Sequence, residues 1–389
     1  MRARTATSVL QRGARRFGAT NIHVGDFDGY MLVTTLVLMI FGTIAISSAS
    51  GIEANTLQNP GVRQALLALV GLAISFTVAS VDFRFFASAS WIIYFGGIVL
   101  LALVLVPGIG TELQGGRRWF DLAVVTVQPS EFAKLTTMLA LAAFVSSRGD
   151  GMKELGNFLL SLAIAGLPMA LVMAEPDFDS AIMFVVIWVS VLFVSGPRPA
   201  HIVALVAITP VVLLFSYLFL LRDFHRVRIQ AFLGLVDDPL GVSYQSTQAK
   251  ISIGSGGWFG YGLGGGTPSR LDLLSVRTSD FVFAHASSMF GFVGMLALLA
   301  CFIILLLRVL RVAEISSNPF GQCMAISIAA VLLVQAVVNI SMNLGLLPVV
   351  GSALPFVSAG VSSLWTFLIA EGILQSILMH HRKLAFQRD

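Results

Sequence analysis

The side chains in this sequence that could do chemistry are few, and they come in short clusters. Glu131 and Lys134 stand three residues apart, a spacing that puts both on one helix face and lets them pair. Glu175, Asp177 and Asp179 place three carboxylates within one short stretch. Arg117-Arg118-Trp119-Phe120 supplies two adjacent guanidinium groups, which suit bidentate phosphate recognition. Ser279-Asp280-Phe281 sets an acid just ahead of a long apolar run, and such a carboxylate can take a proton from a hydroxyl nucleophile. Three of these clusters also have a plainer reading. Glu131 and Lys134 can neutralise each other inside a bundle, and Ser279 or Asp280 can be an N-cap. The Arg-Arg-Trp-Phe run can be an anchor at a membrane interface.

The elements that must position these groups are membrane spans. Of 389 residues, 57% are hydrophobic and only 11% charged, against about 25% charged in a soluble domain. With a mean hydropathy of +0.89, a water-soluble globular enzyme is excluded. Apolar runs recur near 30–50, 64–81, 88–107, 131–146, 157–174, 180–196, 201–221, 281–309, 322–345 and 360–380. They predict an all-α polytopic membrane protein of about ten spans, each near the ~20 residues that cross a bilayer.

The formal charge of +4 does not point to nucleic acid, because excess Lys and Arg lines the cytoplasmic face of membrane proteins. With both termini inside, fourteen Lys and Arg fall on the inner side and four, Arg63, Arg117, Arg118 and Lys134, on the short outer connections. The chain then divides into a basic cytoplasmic leader over 1–29, a membrane domain over 30–380 and a cytoplasmic tail over 381–389. The leader lacks the apolar stretch of a cleavable signal. The segment 222–280, between the seventh and eighth spans, faces outward. It is Gly- and Ser-rich with apolar patches, which predicts short amphipathic helices on the outer leaflet. All four clusters lie on that same outer side. An ionisable group within a bilayer costs at least ~2.5–3.5 kcal/mol, so their gathering marks a functional site.

Other signals exclude themselves. Gly260 to Gly265 matches G-x-G-x-x-G but lies in a loop between spans, without the strand and helix of a dinucleotide site. The histidines show no metal-ligand spacing, Cys301 and Cys323 fall in apolar stretches, and there is no Walker motif. No nucleotide or redox cofactor is expected.

Taken in order, the motifs resemble one family, the SEDS proteins of RodA/FtsW type. They are Gly116 to Phe120, Gln128-Pro129-Ser130-Glu131-Phe132-Ala133-Lys134-Leu135, Glu175-Pro176-Asp177, and Tyr244-Gln245 with Gln248. Then follow Ile253-Gly254-Ser255-Gly256-Gly257, Gly260 to Gly266, and Ser279-Asp280-Phe281-Val282-Phe283-Ala284. The last are Asn339, Gly345-Leu346-Leu347-Pro348, and Leu354-Pro355 with Ser362-Ser363. The resemblance implies a peptidoglycan glycosyltransferase in the bacterial cytoplasmic membrane that polymerises glycan strands from lipid II at the outer face. In that reaction the 4-hydroxyl of one lipid-linked disaccharide attacks the anomeric carbon of another, with inversion, and undecaprenyl pyrophosphate leaves. It further implies Asp280 as the essential acid and a class B penicillin-binding protein as partner, among other elongation or division proteins. The leaving pyrophosphate calls for cations, with Arg117, Arg118, Arg228 and Lys134 as candidates and a divalent metal, magnesium or manganese, as a further source of charge. Gln245 and Gln248 join them as substrate-binding candidates. Glu131, Glu175, Asp177, Asp179, Ser287, Ser288, Asn339 and Ser362 are expected to form a supporting polar cavity.

The sequence departs from the family pattern at several points. Glu175 stands for the usual Gln, Asp179 for a small residue, and Ser287-Ser288 for an acidic pair. Two rivals follow: a flippase for lipid-linked precursors, which would use the same cavity from both leaflets, and a silent paralogue acting as a scaffold. The run Leu346-Leu347-Pro348-Val349-Val350 leans toward the RodA-like, elongation branch.

Overall fold

A computed structural model describes residues 26–49, 58–113, 116–122, 125–221, 223–236, 242–263 and 278–380. Most of the leader and all of the tail expected from the sequence lie outside these residues. The long apolar runs form helices α1 (Gly29–Ala49), α2 (Pro60–Ser80) and α3 (Phe83–Val104). They are followed by α4 (Pro129–Arg148), α5 (Leu155–Ala174), α6 (Phe178–Ser195) and α7 (Pro199–Phe215). Two shorter helices, α8 (Asp223–Phe232) and α9 (Val242–Ser255), precede α10 (Val282–Ile315), α11 (Pro319–Asn343) and α12 (Val361–His380). Among the described residues nine helices are long and apolar enough to cross a membrane. The 20-residue α4, which carries Glu131 and Lys134, brings the number to the ten expected. Several helices begin before their apolar runs because capping sets the start. Asn59 accepts from Gly61 N (2.8 Å), Asp82 from Arg84 N (3.0 Å) and Asn318 from Phe320 N (2.9 Å).

Lipid-facing and core-facing helices differ in what they show. Ile92 and Phe193 are 79% and 85% exposed, as expected for side chains whose solvent is hydrocarbon. Helix α12, by contrast, buries 17 of its 20 residues, and α4 buries 14 of 20. The helices richest in polar groups are therefore the central ones, with α4 packed against α3, α5, α6, α11 and α12. Helices without a hydrophobic drive to associate rely on close packing and interhelical hydrogen bonds. Accordingly Trp365 Nε1 donates to Leu67 O (2.9 Å), Tyr94 Oη to Ile164 O (2.9 Å) and Trp188 Nε1 to Ser161 Oγ (3.0 Å). At the opposite end from Asp280, Asp28 ties three helices together. Its carboxylate meets Arg308 of α10 at 2.6 Å, and its backbone exchanges two hydrogen bonds with Gln375 of α12.

The end of the bundle that carries Arg118 and Asp280 departs from the sequence expectation in two details. First, the connection between α3 and α4 is not a bare loop, although the fold is all-α as expected. Between α3 and α4 an antiparallel three-stranded sheet forms, β1 (Thr111–Leu113), β2 (Gly116–Asp121) and β3 (Thr126–Val127), in the order β1-β2-β3. Second, α9 does not lie apart on the leaflet; it packs on α10 and α11. The turn that follows it is seated against a break in α10. Gly291 has φ 64° there, which strands backbone groups that hydrocarbon cannot satisfy. The Gly-rich turn supplies the partners. Tyr261 N and Gly262 N donate to Ser288 O and Met289 O, while Phe292 N and Val293 N donate to Gly257 O and Trp258 O, all at 2.8–3.1 Å. The G-x-G-x-x-G run thus has a structural reason for its first glycines: a Cβ on Gly260 would stand 2.1 Å from Met289 O. Gly260→Val is expected to unseat the turn and lower stability by at least ~2 kcal/mol. Thermal unfolding of the purified variant in detergent measures it, and an unchanged midpoint contradicts this account of the break.

Candidate active site at the starts of four helices

Four helices, α4, α6, α10 and α12, begin at the same end of the bundle. The cavity among their starts, about 600 Å³ in volume, is lined by Gln128, Asp177, Asp280 and Ser362 at or near those starts, with Arg118 from β2 and Arg228 from α8. Helix N-termini carry unsatisfied N–H groups and the positive end of the helix dipole, so their convergence favours anions.

Asp280 is fixed through its backbone. Its carbonyl accepts from Asn339 Nδ2 (3.0 Å) and Asn343 Nδ2 (2.9 Å), both on α11. The same two amides reach Ser352 O (2.6 Å) and Asn339 O (2.8 Å), and Ala284 N donates to Asn343 Oδ1 (3.1 Å). Ser358 Oγ donates to Ser279 O (2.6 Å), and Ala359 N to Thr278 O (2.8 Å). With its backbone held on both sides, the carboxyl of Asp280 is turned into the cavity. The N-cap reading fails, since the cap position of α10 is Phe281 and makes no side-chain cap bond. Burial pushes the Asp280 carboxyl above its usual range, while a hydrogen bond from Ser279 and the charges of Arg228 and Arg118 pull it back. Burial, aided by the charge of Arg118, lowers Arg228, and Asp280 opposes that shift. A carboxylate between desolvation and two guanidinium groups has the chemistry to accept a proton beside cations that could meet an anion.

Asp177 organises the opposite wall. Its carboxylate accepts from Gln128 Nε2 (2.7 Å), Ser130 Oγ (3.4 Å) and, as the cap of α6, Ser180 N (3.3 Å). Arg118 lies 3.7 Å away. Asp179 also lines the cavity, among Asp177, Lys134, Glu131 and Ser352. Ser362 Oγ accepts from Gln128 N (2.7 Å), which joins α12 to the start of α4.

The other expected residues fall elsewhere. Neighbours on a strand point to opposite faces, so Arg117 turns from the cavity toward Glu112 (3.7 Å), which pairs with it across the strands. Lys134, counted from sequence among outer-loop charges, is 2% exposed within α4 and donates to Glu131 Oε1 at 2.8 Å. Of this pair only Glu131 lines the cavity. Glu175 caps the end of α5, fully buried, and does not line it. Ser287 and Ser288 bond back to their own helix, to Phe283 O (2.7 Å) and His285 O (2.8 Å), so they are packing residues rather than cavity residues. Asn339 acts on Asp280 from behind, and Gln245 and Gln248 on α9 do not line the cavity. Sequence reading passed over Asn343 and Ser358. The Asn339/Asn343 spacing of four within an apolar helix was the available signal for the first, and for Ser358 its place at the head of the motif block Ser358 to Ser363. Among the described residues no group of three or more His, Cys, Asp or Glu could hold a metal ion. The carboxylates do not form a metal cage, and the positive charge here is Arg118 and Arg228.

Glu175 supplies a pH test. Burial, with Asp177 adding to it and Arg118 opposing, pushes its carboxyl up to about 9 from an ordinary 4.5. The folded chain therefore holds a proton that the unfolded chain releases. The stability tied to that proton is complete below pH 4.5 and is lost as pH rises toward about 9. Glu175→Gln, neutral throughout, is expected to match the wild type at pH 4.5 and to exceed it increasingly at higher pH, by a margin on the order of a few kcal/mol. Unfolding midpoints across that range check it; parallel curves would contradict it.

Comparison with known proteins agrees with this arrangement. The family described as FtsW/RodA/SpoVE cell cycle proteins matches residues 29–383. The peptidoglycan glycosyltransferase MrdB of Escherichia coli K12 is 36% identical over 92% of this chain and 95% of its own length. A probable peptidoglycan glycosyltransferase FtsW of Trichlorobacter lovleyi is 33% identical over 91% of this chain and 93% of its own. Among solved structures, a chain from a peptidoglycan synthase complex that coordinates polymerization and crosslinking superposes with a TM-score of 0.78 at 26% identity, covering 92% of this chain and 99% of that one. The Thermus thermophilus rod shape determining protein RodA gives 0.69 at 25% identity, over 92% and 98%.

Proposed function

The chain belongs to the FtsW/RodA/SpoVE family, and we propose that it polymerises peptidoglycan glycan strands from lipid II with Asp280 as general base. It is a multi-pass membrane protein and a membrane glycosyltransferase of the peptidoglycan type. The ionised carboxylate of Asp280 takes the proton from the 4-hydroxyl of one lipid-linked disaccharide. That oxygen forms a bond to the anomeric carbon of the second, with inversion. The bond from that carbon to the phosphate oxygen breaks, and its electron pair departs on undecaprenyl pyrophosphate. Arg118 and Arg228 meet the anionic charge that grows on the leaving group. Asp177 orients Arg118, while Asn339 and Asn343 hold Asp280 in place.

One observation carries this reading: the Asp280 carboxyl and two guanidinium groups, Arg118 and Arg228, share one cavity at the starts of four helices, with Asp177, Asp179 and Glu131 also lining it. The position of Ser287 and Ser288 supports activity over a silent scaffold, because the acids they replace in the family pattern would not line that cavity. The buried Glu131–Lys134 pair lies on the inward side of the cavity, on the helix that starts there, which supports access from one face over a flippase. The cavity then faces outward, with both termini in the cytoplasm of a bacterial cell. A class B penicillin-binding protein that crosslinks the new strand is the partner this chemistry needs, in the elongation branch toward which the Leu-Leu-Pro-Val-Val run leans. A divalent metal would be carried by the pyrophosphate, because among the described residues no group of three or more His, Cys, Asp or Glu could hold one.

The test is reconstitution with lipid II, with and without the partner. Wild type is expected to make glycan polymer, and Asp280→Asn to lose at least ~100-fold in rate while keeping its fold and substrate binding. Lipid II crossing between leaflets without polymer, or polymer undiminished in the variant, overturns the assignment.

A further inference from the structure

Polymerisation brings two lipid-linked diphosphates to one base at the same time, so this inference rests on the polymerase reading. The donor's diphosphate leaves from the carbon under attack and belongs beside Asp280. The acceptor presents its 4-hydroxyl at one end of a disaccharide and carries its own diphosphate at the other. A second anion must therefore be held outside the cavity that contains the base, yet adjoining it.

The outer side has a second cavity, of about 240 Å³, between α8, α9 and the segment that follows α11. It adjoins the first through Arg228, which lines both. Arg228 Nη1 donates to Val349 O (3.2 Å), so the guanidinium is anchored to the wall between them. Lys250 of α9 brings a second cation, and Ser246 and Thr247 of the same helix bring two hydroxyl donors. None of the residues lining this cavity is acidic. Among the described residues no carboxylate pairs with Lys250.

The backbone opposite Lys250 is shaped for it. Gly345 has φ +74°, and a Cβ there would stand 3.1 Å from Cδ and 3.5 Å from Nζ of Lys250. The bare glycine lets the lysine stem lie against the segment after α11, which brings the ammonium to the cavity. Two cations, two hydroxyls and no acid describe a site for a multiply charged phosphate group.

We propose that this second cavity binds the diphosphate of the acceptor lipid through Lys250, Arg228, Ser246 and Thr247. Arg228 then stands between two diphosphates and sets the distance from the acceptor's anchor to the base. Lys250 is a binding residue for the acceptor rather than a group at the reacting atoms.

The full-length Asp280→Asn variant in detergent does not turn over, and titrating it with farnesyl diphosphate counts the sites. Two molecules per chain are expected. Lys250→Gln is expected to weaken one of them roughly tenfold, as for one lost charge-assisted contact, and Lys250→Arg to keep both. Inorganic pyrophosphate is expected to bind this site more weakly than the lipid diphosphate; equal binding would assign it to a free anion and overturn the acceptor role. With Asp280 intact, Lys250→Gln is expected to raise the lipid II concentration for half-maximal rate roughly tenfold and to leave kcat in place. Two sites of unchanged affinity in Lys250→Gln, or a single site before substitution, overturn the second subsite and leave the polymerase reading standing. No farnesyl diphosphate bound at all would overturn the polymerase reading, and this proposal with it.

Discussion

A carboxylate taken out of water needs cations near it, and here that constraint is met at one point, where Asp280 faces Arg228 and Arg118. Desolvation alone would leave Asp280 protonated and idle; two guanidinium groups alone would leave it a weak base. The surrounding fold holds these three groups in one cavity. Asn339 and Asn343 clamp the Asp280 backbone from α11, Ser358 and Ala359 clamp the residues before it, and Asp177 restrains Arg118 from the start of α6. The break in α10 at Gly291 belongs to the same design. It lies a few turns beyond Asp280, and the glycine turn that seals it also terminates α9, the helix that bears Lys250.

The membrane explains why the polar groups are distributed as they are. Helices that face lipid carry almost nothing but apolar side chains, while α4, α11 and α12 sit inside the bundle with their Lys, Glu, Asn and Ser. Within that interior most charges have a counterpart or an end position; Glu371, midway along α12 beside Thr35 and Asp28, is the exception. Lys134 is spent on Glu131, Arg308 on Asp28, and the remaining cavity charges sit where spans end and water begins. The same pressure leaves Glu175 protonated, since Arg118 is shared with Asp177 and cannot offset its burial.

Much of this was legible in the sequence, and the rest was hidden for definable reasons. The span count and the gathering of Arg118, Asp177, Asp179, Glu131 and Asp280 in one cavity follow from hydropathy and motif order. Arg117 was mistaken for a partner of Arg118 because adjacency in sequence says nothing about strand alternation until the strand is known. Glu175, Ser287 and Ser288 were assigned to the cavity because a motif reports neighbourhood, whereas helix phase decides which face a side chain takes. Helix starts at Pro60, Phe83 and Pro319 were missed by hydropathy and are explained by Asn59, Asp82 and Asn318 as caps. Asn343 and Ser358 act on a residue far away in sequence, so only folding reveals them. The turn at 257–262 drew attention as a phosphate-loop look-alike and proved to be the complement of a broken helix.

The central claim, that Asp280 is a base held between burial and cations, is tested most directly by the pH dependence of kcat/KM for glycan polymerisation, measured for wild type and for Arg228→Gln. The account predicts an acid limb set by one group whose midpoint lies above that of an ordinary aspartate. It further predicts that the limb moves to higher pH in Arg228→Gln, since removing a neighbouring cation makes the carboxyl harder to ionise. A limb at the ordinary aspartate position, or one that stays still when Arg228 is replaced, would contradict it.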